Sequence, residues 1–168
     1  MNRTAKILLA LVQEAMGWAN EHNWSEETLV WGDIFRLAQR QGVLAIVWSA
    51  IGKLANEGKL TPKQMPDRAL KLQWALSAEK IKSRYCKQRQ LAEKLADAFT
   101  KDGITTNVLK GLAISGYYPI PEYRECGDLD CYLSTTKTNG EFVCRYDDGN
   151  EIAAKIGAKV DIGFYKHS

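Results

Sequence analysis

The chain is short of residues that crosslink small proteins. It holds 4 cysteines and 2 histidines among its 168 residues. Cys86, Cys126, Cys131 and Cys144 form no Cys-x-x-Cys pair, and only His22 and His167 stand by to complete a zinc set. That pattern argues against a structural zinc site and against a disulfide framework. Free thiols in a reducing cytoplasm are expected instead. Long apolar runs are missing too, since no stretch approaches the roughly 20 residues that span a bilayer. Arg3 and Lys6 precede the apolar run Ile7 to Val12 as in a signal peptide. Gln13 and Glu14 interrupt that run, however, and no small-x-small cleavage site follows. No single sign of charge dominates: the net charge of +3 is too mild to mark nucleic acid as a standing partner. Repeats and low-complexity tracts are absent. What remains is 45% hydrophobic and 26% charged, enough for a real core in one domain or two small ones.

Apolar spacing predicts a helical first part. Leu8, Leu11, Val12, Ala15, Trp18 and Ala19 recur at helical steps, so a helix is expected from Thr4 to about Glu21. Ser25-Glu26-Glu27-Thr28 resembles a helix start, and Trp31, Ile34, Phe35 and Ala38 continue the stripe toward Gly42. A third helix is expected over Val43 to Ala55, closing at Gly58. Trp18, Trp24, Trp31 and Trp48 read either as a ligand cleft or as helix-packing aromatics, and the core reading is favoured. A long helix is predicted from Asp67 to Lys101, about 50 Å at 1.5 Å per residue. Its Lys80, Arg84 and Lys87, with Lys82 and Arg89 on another face, read as an anion groove or, preferably, as a solvated face.

Past Asp102-Gly103 the pattern changes to strands. Ile104 to Leu109 starts a sheet, and Lys110-Gly111 turns into a helical patch, Leu112 to Tyr117, that stops before Pro119. A glycine at a strand-to-helix turn lets a ligand approach the backbone, and free N–H groups there favour anions. Lys110 adds a full positive charge. Downstream, Gly127-Asp128-Leu129-Asp130-Cys131-Tyr132-Leu133 alternates at period two and predicts a strand. Asp128 and Asp130 then share one face, with Cα atoms about 7 Å apart. Two like charges side by side favour a cation between them, and Mg²⁺ prefers oxygen ligands. A second strand is expected over Glu141 to Tyr146. After it comes a short helix to Gly157, with Asp148 as its N-cap and Glu151 as capping-box partner, and then a strand from Lys159 to Tyr165.

Leu-Lys-Gly, then Arg124, then Gly-Asp-Leu-Asp resembles the bacterial uncharacterised nucleotidyltransferase family, within the wider polymerase-β-like superfamily. In that superfamily a Gly-containing turn and helix hold the triphosphate, and an Asp-x-Asp strand with a third, later acid holds two metals. The resemblance implies an α+β fold in which a helical region over 1–101 leads into a small mixed sheet over 102–168. It implies Asp128 and Asp130 as catalytic, Mg²⁺-binding acids, and Lys110, Gly111, Arg124 and Gly127 as phosphate or nucleotide contacts. Its partners would be an NTP and an acceptor (protein, RNA or small molecule). Two departures stand out: Lys110-Gly111 replaces the superfamily's Gly-Ser, and no third acid sits on a complete later strand. Asp161 is a candidate for that acid, though an exposed strand residue is the favoured reading, and His167 reads as a surface residue. The end at Ser168 reads as a truncation. Arg124 pairs either with phosphate or with Glu122 or Glu125. The competing function is a catalytically silent interaction module built on the helices, with a nucleic-acid binder using the basic helix face as a weaker third.

Overall fold

The computed structural model describes residues 2–19 and 21–158. Helix α1, Arg3–Met16, starts where the Asn2 side chain accepts the Ala5 N–H at 2.8 Å and stops at Gly17, whose φ of 71° is left-handed. It ends short of the expected Glu21. Trp18 therefore lies beyond it and is 57% exposed, a correction to its place on the packing stripe.

The helix expected at Ser25 is also corrected. Trp24–Glu26 forms only a 3-10 turn, and α2 runs Trp31–Arg40. The cause is tertiary: the Gln64 side-chain amide donates to the carbonyls of Trp24 and Glu27, at 2.7 and 3.3 Å. The segment is thereby pinned as a short turn, with the Glu27 N–H donating to the Trp24 carbonyl at 3.3 Å, and Trp24 is buried as an anchor. Helix α3, Leu44–Asn56, follows the predicted stripe. With α1 and α2 it encloses Leu11, Ile34, Val47, Ile51 and Leu54. The other tryptophans serve this core. Trp31 is buried and Trp48 packs against it partly buried.

Helix α4, Arg68–Lys101, starts where the Asp67 carboxylate accepts the Leu70 N–H at 2.8 Å. Its first half supplies Trp74, which is fully buried and donates through Nε1 to the Leu44 carbonyl at 2.9 Å. Its last turns supply Leu95 and Phe99 to a second apolar cluster with Ile104, Leu133 and Ala153. One helix thus contributes to both clusters.

Three strands follow: β1 (Thr105–Leu109), β2 (Asp130–Thr136) and β3 (Phe142–Cys144), in the order β1-β2-β3. The fold is α+β. Both pairings are antiparallel, and among the described residues the sheet has no parallel pair to make it mixed. Helix α5, Gly111–Ile114, is a single turn continued by a 3-10 turn at Ser115–Tyr117. Helix α6, Tyr146–Lys155, starts before the expected cap because the Arg145 N–H donates to the Leu133 carbonyl at 3.0 Å and ends the sheet there. Asp148 therefore sits in the first turn, not at the N-cap, and accepts from Arg145 Nε at 2.6 Å. Glu151 pairs with Lys155 at 2.8 Å rather than closing a capping box. The strand expected over Lys159 to Tyr165, with Asp161, and the terminal His167 lie outside the described residues. All four cysteines are free. No helix among the described residues is long and apolar enough to cross a membrane.

Candidate nucleotide site

The register of β1 against β2 builds the corner. Leu109 pairs with Asp130 as the last rung of the ladder, so the residue after Leu109 emerges beside the acid. Lys110 Nζ lies 3.8 Å from Asp130 Oδ2. Lys110 also holds φ 49° and ψ −137°, the only positive φ among the described non-glycine residues. An L-residue there is strained by about 1–3 kcal/mol, and such strain collects at ligand-binding turns.

Gly111 follows, close to two other parts of the corner. A Cβ there would lie 3.5 Å from the Asp128 carbonyl and 3.8 Å from Arg124 Nη1. The turn, Arg124 and the Asp128 backbone therefore meet at one point. The guanidinium of Arg124 sits over the Tyr118 ring at 5.9 Å, with Nη1 3.1 Å from Cys126 Sγ. Its Nε is buried without a partner. Neither Glu122 nor Glu125 neutralises it: the Glu125 carboxylate instead faces Arg84, at 3.8 Å. Arg124 thus keeps a positive charge without a carboxylate partner among the described residues.

Two expectations about this corner are corrected. Gly127 and Asp128 do not lie on the strand, which begins at Asp130. The reason is that β1 ends at Leu109 and offers nothing for them to pair with. Gly127's carbonyl accepts instead from the Gln88 side chain of α4. Strand alternation therefore does not set where the Asp128 side chain points, although the exposed residue does lie at the corner through its backbone. Second, α5 is one turn long, so its dipole is slight. Positive charge at the corner comes mainly from Lys110 and Arg124.

The long helix contributes positioning residues that no sequence pattern singles out. Ser115 Oγ donates to the Leu112 carbonyl at 2.6 Å and so accepts from the Tyr85 hydroxyl, at 3.0 Å in a buried contact. Gln88, one helical turn on, carried no signal because its partner is a backbone carbonyl. Nearby, Arg89 pairs with Glu93 at 3.0 Å. With Arg84 also facing an acid, the basic stripe of α4 reads as a solvated face.

Among the described residues no group of three or more His, Cys, Asp or Glu side chains converges as a metal cage. Two carboxylates nonetheless suit Mg²⁺, which commonly takes one or two protein acids and completes its shell with water and phosphate oxygens. The Lys110 ammonium is too far from Asp130 for a hydrogen bond, so that oxygen is not locked away. Beside it, burial and then the Asp130 charge push the Cys131 thiol up, which keeps it protonated. A groove of about 550 Å³ lies elsewhere, between α3 and the 120–123 segment, lined by Trp48, Lys53, Asn56 and Tyr123 among others. None of the corner residues lines it.

A family model described as "Uncharacterised nucleotidyltransferase" matches residues 27–139, about two thirds of the chain. The chain belongs to that family. No curated protein and no solved structure matches it. The nucleotidyltransferase match contains Lys110, Gly111, Arg124, Gly127, Asp128 and Asp130. It also begins within the helical part, so α2, α3 and α4 are part of what the family shares.

Proposed function

We propose that the corner formed by Lys110, Gly111, Arg124, Asp128 and Asp130 binds the triphosphate of an NTP with Mg²⁺ and transfers its nucleotidyl group to an acceptor hydroxyl. What supports this reading above all is the 3.8 Å approach of the Lys110 ammonium to Asp130 at the last rung of the sheet. It sets an anion-attracting group beside a cation-attracting one. A metal-bound triphosphate is the ligand that satisfies both.

In this reading Asp128 and Asp130 would hold Mg²⁺, which when bound lowers the negative charge that builds on the phosphate oxygens. Lys110 and Arg124 hold the β- and γ-phosphates and stabilise the pyrophosphate as it leaves. Gly111 keeps the turn bare so that phosphate oxygens approach the backbone. A bond forms between the acceptor oxygen and the α-phosphorus, the bond to pyrophosphate breaks, and the hydroxyl proton passes to a carboxylate or to water. Tyr85 and Gln88 hold the 115 and 127 segments, respectively, in place from α4.

Calorimetric titration of tripolyphosphate with and without Mg²⁺ tests the reading. Binding is expected to require the metal and to disappear in the Asp128→Asn/Asp130→Asn double variant. Unchanged binding in that variant would remove the proposal.

A further inference from the structure

The outer sheet face carries groups that the phosphate corner leaves unused. Along β2, Tyr132 follows Asp130 on the same face, about 7 Å further on. Leu133 points the other way, into the cluster with Phe99 and Ala153. Helices α4 and α6 supply those two residues and so pack on the Leu133 side. Across the ladder, Asn107 lies opposite Tyr132 just as Leu109 lies opposite Asp130. Opposed residues bring their Cβ atoms to about 5 Å. The Tyr146 ring meets the Tyr132 ring edge-on, with centroids 6.1 Å apart at 90°, and so braces it. Asn107, Leu109, Tyr132 and Tyr146 are all exposed.

We propose that this face binds the base of the nucleotide, with Tyr132 stacking on the ring and the Asn107 amide reading its edge. The inference rests on the nucleotide reading above and deepens it. Charge distribution argues for the base as occupant. Lys110 and Arg124 gather at one end of the site, while neutral, flat or amide groups lie one pleat away. A nucleotide is divided in the same order, into a charged triphosphate and a flat neutral ring. Burial, with Cys144 and Tyr132 alongside, pushes the Tyr146 hydroxyl up, so this end stays uncharged at neutral pH. Asparagine offers one donor and one acceptor side by side, the pair that matches the N6/N7 edge of adenine. Adenine is therefore the expected base.

Titrations of Mg-tripolyphosphate, Mg-ATP and Mg-GTP into the whole chain separate the base from the phosphates. ATP is expected to bind about 5- to 150-fold more tightly than tripolyphosphate, the usual gain from stacking a base on an aromatic ring. Tyr132→Ala should erase that gain and leave tripolyphosphate affinity unchanged, whereas Tyr132→Phe should retain it. Asn107→Ala should remove the preference for ATP over GTP. Equal wild-type affinity for ATP and tripolyphosphate overturns the base platform while leaving the phosphate corner standing. So does an equal loss for both ligands in a Tyr132→Ala chain with an unaltered circular dichroism spectrum. If Tyr132→Ala does not fold, Asn107→Ala decides: an ATP preference that persists overturns the assignment. Failure of every ligand to bind sinks the nucleotide reading itself, and the platform with it.

Discussion

Lys110 carries a conformational cost and a charge at the same position, and the two can be separated. Its backbone lies where glycine is at ease and a side chain is not. Lys110→Gly relieves strain of about 1–3 kcal/mol against an entropy loss of about 0.5–1 kcal/mol. A net gain of about 1 kcal/mol in urea unfolding is expected. The ion pair to Asp130 hardly alters this balance, because its side chains are 69% and 44% exposed and such pairs contribute little. Lys110→Ala keeps the strain and should leave stability nearly unchanged. Both variants lose the ammonium, so both should lose tripolyphosphate affinity. A stabilised Lys110→Gly chain that still binds the anion at full strength would mean that the lysine is held there for another reason.

Helix α6 docks through a glycine. A Cβ at Gly149 would come within 2.0 Å of Leu133 Cδ1 on β2. Alanine favours a helix interior by about 1 kcal/mol over glycine, but overpacking of this kind costs about 1–3 kcal/mol. Because Leu133 is buried against Phe99 and Ala153, it has little room to retreat, and the clash should win. Gly149→Ala is expected to lower the denaturation midpoint. The start of the same helix is sensitive to acid. The Arg145 hydrogen bond holds the Asp148 carboxyl below its ordinary range, and Asp148 in turn holds the Arg145 guanidinium up. A depressed carboxyl stabilises the fold above its unfolded pKa and loses that effect as pH falls through the folded value. Thermal midpoints recorded from neutral pH down through the aspartate range should therefore fall less steeply in Asp148→Asn than in the wild type.

At the scale of the molecule, α4 is shared between the two apolar clusters. Trp74 is fully buried, with Phe35 edge-on at 5.1 Å and Trp31 at 5.9 Å. Trp74→Ala should cost about 3–5 kcal/mol. Because α4 continues through Tyr85 and Gln88 to the site segments and through Phe99 to the sheet, the loss should reach both clusters. Tryptophan fluorescence reports the helices, and tyrosine-specific probes at Tyr132 report the sheet. Coincident denaturation curves from both are the expected result. Two separate transitions would show instead that the helical cluster and the sheet unfold independently.

Local chemistry read from the sequence alone determined much of this. Apolar spacing marked α3 and α4, Asp67 marked the start of the longest helix, and Gly42, Gly58 and Gly157 stand in left-handed conformations where helices end or turn. The motif residues Lys110, Gly111, Arg124, Asp128 and Asp130 were also legible, because side-chain type and spacing are properties of the chain itself. Contacts distant in sequence decided the rest. Gln64 tied down the segment after Ser25, Arg145 drew α6 forward, and the end of β1 left Asp128 off the strand. No periodicity encodes these events, since each depends on a hydrogen bond to a group that only folding brings near. The pairing of Leu109 with Asp130 is of the same kind: the sequence holds both residues, but the register of the sheet makes them neighbours.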